Sequence, residues 1–196
     1  MKLLLVNLGG EMHINSMEQT PLSMEYIADR DVGLVLNEEL CALFSTCFTG
    51  PNDERFKRQR YYSEMPQHRW LIREPGLVIA HVAMHEKQIG TVAGEFTIGG
   101  VAEVAVHPDY RGRGLAKQVL SAANAAFAER GVQFSFLFGR PNVYGSSGYV
   151  PVMNPLRHYD TVSCEWFVRK LDFAMVKMLG ATPWPEGEID LRGPVF

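Results

Sequence analysis

A chain of 196 residues, 46% hydrophobic and 21% charged, has an ordinary globular composition, which excludes disordered and collagen-like classes. A chain of this size buries about 70% of its unfolded surface in one core, so one compact domain is expected over residues 21–196, with 1–20 an N-terminal extension. With 22 acidic against 19 basic residues, the net charge of -3 gives no broad positive field to hold a nucleic acid.

The apolar start Met1–Val6 is cut short by Asn7-Leu8-Gly9-Gly10, so no targeting signal is expected, and no run of about 18 apolar residues predicts a membrane span. A helix is predicted from Asn37 as N-cap, through Leu40, Leu43 and Phe44, to a stop before Gly50-Pro51. The charged segment 53–60 reads as a short solvated helix. Leu77–Met84 and Ile89–Phe96 read as two antiparallel strands joined by a turn at Glu86-Lys87-Gln88. Gly99-Gly100 opens a third strand, Val101–Val106, which His107-Pro108-Asp109 stops. Leu115, Val119, Ala122, Ala123 and Ala126 recur at helical spacing, with Gly131 as the C-terminal cap. A buried strand follows at Phe134–Phe138, parallel to the third, and a late strand is expected at Trp166–Leu171. The tail from Pro183 is too rich in Pro and Gly to be regular. The class is mixed α/β.

Cys41, Cys47 and Cys164 are odd in number and form no CxxC pair, which argues against disulfides and a metal site and for a reducing, cytoplasmic setting.

The most informative stretch is Arg111-Gly112-Arg113-Gly114-Leu115-Ala116, between the end of a strand and the start of a helix. Its small residues allow a tight turn and close approach of a ligand to the backbone. The free N–H groups of the first helical turn, with the helix dipole behind them, suit a pyrophosphate. Arg111 and Arg113 add fork-shaped cationic donors.

The segment VAVHPDYRGRGLA resembles motif A of the GNAT N-acetyltransferase superfamily: Arg or Gln, two residues, Gly, one residue, Gly or Ala. Arg111, Gly114 and Ala116 match it, and Val106-His107-Pro108-Asp109-Tyr110 fits the phase before it. The resemblance implies a mostly antiparallel sheet of six to seven strands flanked by helices, with a splayed parallel pair holding the coenzyme. It implies acyl-coenzyme A, acetyl-CoA first, as cosubstrate. Pantetheine would run along the backbone of Val104, Ala105 and Val106, and the diphosphate would rest on the loop from Arg111 through Gly112, Gly114 and Leu115 to Ala116. Asn142-Val143-Tyr144-Gly145-Ser146-Ser147-Gly148-Tyr149 is similar to the late Tyr-x-x-x-Gly-aromatic motif. That similarity places Asn142 beside the coenzyme and makes Tyr144 the general acid for the departing thiolate.

Patches at 79–83 and 184–194 resemble aminoglycoside 2′-N-acetyltransferases and the nodulation acyltransferase A, which acylate amino groups on sugars. That implies a small amine acceptor, with Glu186, Glu188 and Asp190 a negative rim for a cationic one and His81 beside it. Glu103 is the first candidate base, being near the reaction centre; strand alternation leaves its facing open, and a bulge would re-aim it. His81 and His85 are the alternatives. Two rival functions remain. One is transfer of a longer chain from acyl carrier protein, docked on Arg55, Lys57, Arg58 and Arg60; the other is a non-catalytic acyl-CoA binding module. Oligomeric state stays open, a homodimer included.

Overall fold

The computed structural model describes residues 22–196, and the extension expected over 1–20 lies outside the described residues. The chain runs β1 (Met24–Ala28), α1 (Leu34–Cys47), β2 (His68–Glu74), β3 (Leu77–Thr91), β4 (Gly94–Val106) and α2 (Leu115–Glu129). It continues through β5 (Phe134–Phe138), a single helical turn α3 (Pro141–Tyr144), β6 (Val150–Pro151), β7 (Leu156–Asp160), β8 (Glu165–Arg169), β9 (Ala174–Met178) and β10 (Ile189–Pro194).

All ten strands of the described residues join one sheet in the order β6-β9-β5-β4-β3-β10-β7-β8, with β2 and then β1 added beside β3. Among the described residues only β4–β5 and β10–β7 are parallel, so the sheet is mixed and mostly antiparallel as expected, with more strands than the six to seven anticipated. Helix α2 covers one face, burying Val119, Ala123 and Phe127 against Ile79, Val82 and Met84. Each large apolar side chain fully buried contributes about 1.5–3 kcal/mol. Helix α1 covers part of the other face through Leu40, Leu43 and Phe44; the rest is an aromatic cluster with Phe134, Phe136 and Trp184. Among the described residues, no helix is long and apolar enough to cross a membrane.

Four expectations need correction. Helix α1 starts at Leu34, not after Asn37, because Gly33 enters it without a side-chain cap and Asn37 instead accepts a hydrogen bond from Arg60. Glu86-Lys87-Gln88 is no turn: β3 and β4 are one long hairpin that reverses at Val92-Ala93. Gly99-Gly100 lies inside β4, where a Cβ on Gly99 would strike Met84 and Phe127, and one on Gly100 the ring of Phe196. Those glycines serve close packing of the two faces rather than a turn. The tail is also regular in part, since β10 inserts between β3 and β7.

Candidate active site

The site begins where the parallel pair separates. Strands β4 and β5 pair from Ile98↔Phe134 to Val101↔Leu137, and β4 then runs on alone on that side to Val106. On its other side β4 stays paired with β3, with His81 opposite Ala105 and the His107 N–H donating to Ile79 O at 2.8 Å. Alternation along the strand therefore turns the peptide groups of Val104 and Val106 away from β3 and into the gap.

Register slips by one residue here. Val82 of β3 faces both Glu103 and Val104 of β4, and Glu103 takes φ 43°, a left-handed conformation that few non-glycine residues adopt. The bulge puts Val104 and Val106 on the α2 face, whereas Ala105 packs on the α1 side. The Glu103 side chain also leaves the α2 face. Its Oε1 accepts the Tyr62 N–H at 2.9 Å, while Oε2 is buried with no partner among the described residues. Burial is the main cause that lifts this carboxyl to about 7, against the opposing pull of Arg69 and the Tyr62 N–H.

Beneath Glu103 lies a buried ionic network. Asp29 accepts from Arg69 Nε at 2.5 Å and from Arg60 Nη2 at 2.7 Å. Arg69 also donates to His81 Nε2 at 3.1 Å, which leaves His81 Nδ1 as the donor to Glu103 O at 2.8 Å. Burial opposes ionisation of Asp29, but the hydrogen bonds and charges of Arg60 and Arg69 outweigh it and hold the carboxyl below its usual range. Removing one member of a buried pair costs about 3–5 kcal/mol. Asp29→Asn is therefore expected to lower stability by about that much near pH 7, read from urea midpoints at constant slope. A depressed carboxyl stabilises fully above its unfolded pKa and loses that contribution as pH falls through the folded one, so the gap between variant and wild type closes in acid.

On the α2 face, Gly112 and Gly114 take φ 77° and 73°, and a Cβ built on either would meet nothing within 4 Å. The helix that follows has no side-chain cap, and its first ladder bond is Gln118 N–H to Gly114 O. The amides of Leu115, Ala116 and Lys117 thus have no acceptor within the helix. These residues, with Val104, Val106 and Tyr144, line a cleft of about 460 Å³. The Tyr144 ring packs against Gly139, its hydroxyl makes no hydrogen bond among the described residues, and burial raises its pKa, keeping the phenol protonated. Tyr149 differs: its hydroxyl is fixed in the core by Ser135 at 2.7 Å and Asn124 at 3.0 Å. A second cavity, of about 530 Å³, opens on the opposite face of the sheet between Tyr62 and Phe138.

Residues 36–152 match the family model for an acetyltransferase (GNAT) domain, which is more than half of the chain. The chain belongs to the GNAT acetyltransferase family. It is thus an acyl-CoA-dependent N-acyltransferase. Among solved structures it is similar to a GNAT family N-acetyltransferase (YhbS) from Escherichia coli in complex with CoA, at 18% identity and TM-score 0.63, over 88% of this chain and 91% of that one. It is also similar to a GNAT family acetyltransferase from Brucella melitensis in complex with acetyl-CoA, at 15% identity and TM-score 0.55, over 84% and 94%. An acyl-CoA N-acyltransferase from Pseudomonas aeruginosa gives 17% and 0.55, over 80% and 99%. No curated protein matches the sequence.

Within this GNAT fold most motif A residues converge, with five differences from expectation. Arg111 lines the cleft but folds back, its Nε donating to Val106 O at 3.2 Å, and Arg113 stacks on Tyr110 at 4.8 Å, outside the cleft lining. Asn142 sits on the exposed side of α3, outside the cleft lining. His81 is fully buried between Arg69 and Glu103, and burial with the Arg69 charge holds it neutral, so it cannot touch an acceptor. His85 is no better as a base, since burial first, then Lys87 and Arg69, push it down to about 3. The acidic tail is not brought to the site. Asp190 pairs with Arg157 at 2.8 Å, Glu186 borders a shallow hollow beside Trp184, and none of the three acids lines either cavity described above.

Sequence reading missed Asp29, Arg69 and Tyr62. Arg69 lies on β2, a strand the pattern did not reveal, and in a stretch so rich in charge nothing marks one arginine as buried. Among the described residues no cluster of potential metal ligands occurs.

Proposed function

We propose that this GNAT protein holds acyl-CoA in the α2-face cleft and passes the acyl group to a primary amine that arrives through the β4–β5 gap from the opposite face. The observation that carries the reading is the early end of the β4–β5 ladder at Val101↔Leu137, with a cleft on one side and a cavity on the other. The cleft suits an extended, phosphate-bearing ligand. Uncapped first-turn amides of α2 and open space above Gly112 and Gly114 fit the diphosphate, and the free-edge peptide of Val104 and the N–H of Val106, whose carbonyl already accepts from Arg111 and Cys47, fit the amides of the arm.

Acyl-CoA supplies the thioester. The amine nitrogen forms the new bond to the acyl carbon as the C–S bond breaks, giving an amide and free CoA thiol. Glu103 takes the proton the amine loses, directly or through a water, and Tyr144 donates one to the departing sulfur. A Val104 or Val106 N–H steadies the negative charge that grows on the carbonyl oxygen. Because Glu103 must be ionised to act, kcat/KM is expected to rise about tenfold per pH unit up to about 7 and level off above it. Glu103→Gln should remove that limb. A wild-type pH profile in the variant would clear Glu103 of the role.

The geometry lends no support to a polycationic amino sugar held by an acidic rim, because the rim residues lie elsewhere. Acyl carrier protein fares similarly. Arg60 is committed to Asp29 and Lys57 to Glu54, which leaves only Arg55 and Arg58 of the proposed basic patch. Three free cysteines fit the reducing, cytoplasmic setting we propose. Thiol release from acetyl-CoA against an amine panel tests the reading; CoA binding with no release from any amine would return the protein to a binding module.

A further inference from the structure

The 530 Å³ cavity on the far face has walls whose chemistry narrows the acceptor. Five aromatic rings, those of Tyr62, Phe138, Tyr159, Phe173 and Phe196, line it, beside the polar Ser63, His158 and Thr161. A wall of rings favours a planar or branched apolar body, through offset or edge-on contact. Tyr62 ties the cavity to the reaction centre, since its N–H holds Glu103, and Phe138 ends β5 at the gap through which β4 is reached.

Charge adds the second constraint. Two arginines, Arg55 and Arg169, line the cavity against a single side-chain carboxylate, Asp160. Asp160 is already engaged: its Oδ1 accepts the N–H groups of Val162 and Ser163, both at 2.8 Å, and these bonds are the main cause holding it below its usual range, with the charge of Arg169 a lesser one. Arg55 donates to the carbonyl oxygens of Asn52 and Tyr62 and lies 4.1 Å over the Tyr62 ring, which fixes its plane at the wall. Arg169 reaches His158 Nε2 at 3.4 Å and lies 4.6 Å over the Phe167 ring. Neither arginine forms an ion pair with a carboxylate among the described residues. Guanidinium groups placed this way match a carboxylate through two parallel N–H donors.

Building on the acyltransfer reading above, we infer that the acceptor is an amine bearing both a carboxylate and an aromatic or branched apolar group, the chemistry of an aromatic α-amino acid. The arginines take the carboxylate and the rings take the side chain. The amine then points into the gap, loses its proton to Glu103 and forms the amide as CoA leaves as the thiol. A polyamine is disfavoured on two counts, having no group for the arginines and no surface for the rings.

The test uses the full chain with acetyl-CoA and follows thiol release with phenylalanine, phenylalaninamide, phenethylamine, glucosamine and spermidine. Phenylalanine is expected to exceed phenethylamine and phenylalaninamide in kcat/KM by about 10- to 100-fold, the range a charge-assisted contact supplies. In Arg55→Gln/Arg169→Gln that ratio should fall toward one. CoA affinity by calorimetry reports folding, and Arg169→Gln alone, at an exposed position, serves if the double variant does not fold. Equal or better turnover of phenethylamine, glucosamine or spermidine overturns the inference and leaves acyltransfer standing. So does a preference for phenylalanine that survives both substitutions. Release from no amine, with CoA bound, overturns the inference and the proposed function together.

Discussion

Tyr144→Phe is expected to lower kcat by about 100- to 10,000-fold, the usual contribution of a positioned general acid, with acyl-CoA affinity close to wild type. The split follows from where the ring sits. Packing against Gly139 and edge-on to Tyr149 at 6.2 Å, it is held by its carbon atoms, which Phe retains. Only the hydroxyl is lost, and that group has no structural partner among the described residues. Thiolate leaving without a proton becomes the slow step, so a pre-steady-state trace should show slow chemistry rather than slow product release. A leaving group of lower pKa than CoA, such as a thiophenol ester, should recover part of the rate. An unchanged kcat with CoA would reduce Tyr144 to a wall of the cleft.

Gly114→Asp is expected to weaken CoA binding by about 100- to 1,000-fold. Two like charges about 4 Å apart cost about 4 kcal/mol at an effective dielectric of about 20, and each 1.4 kcal/mol is about tenfold in affinity. Asp is one of the few residues that tolerates the left-handed region, and open space surrounds a Cβ at this position, so the fold should survive. Calorimetry on the folded variant gives the affinity directly. Gly114→Asn, which keeps size and backbone preference without the charge, should bind far better than the Asp variant; equal loss in both would point to bulk instead.

The loop was legible because its signal is contiguous: strand, two glycines that allow a tight turn, then an amphipathic helix are read off one stretch of sequence. The same holds for α2, whose buried positions recur at helical spacing, and for β5, a short continuous run buried at four of its five positions. Legibility failed where the meaning of a residue depends on the opposite side of the sheet. Gly99 and Gly100 look like a turn in one dimension, but the reason for them is a methionine, two phenylalanines and the close approach of both faces. Glu103 could not be assigned a face, since the bulge that turns it is a property of the pairing with Val82. The acids of the tail clustered in sequence, yet β10 carries Asp190 to Arg157 across a parallel neighbour.

The place of β10 bears on how the protein is made. It lies between β3 and β7, so the sheet is divided until a segment near the end of the chain slots into its middle. A nascent chain that has emerged from the ribosome only as far as Pro183 can form the β2–β3–β4 meander and the β7–β8 hairpin, but it must keep an unfilled strand position between them. During that interval the Gly90 edge of β3 and the Leu156 edge of β7 lack the partners that Asp190 and Ile189 later supply. Two raw edges exposed during synthesis are where association with another nascent chain would begin, so the yield of soluble enzyme should depend more on how quickly this segment docks than on the final stability of the sheet.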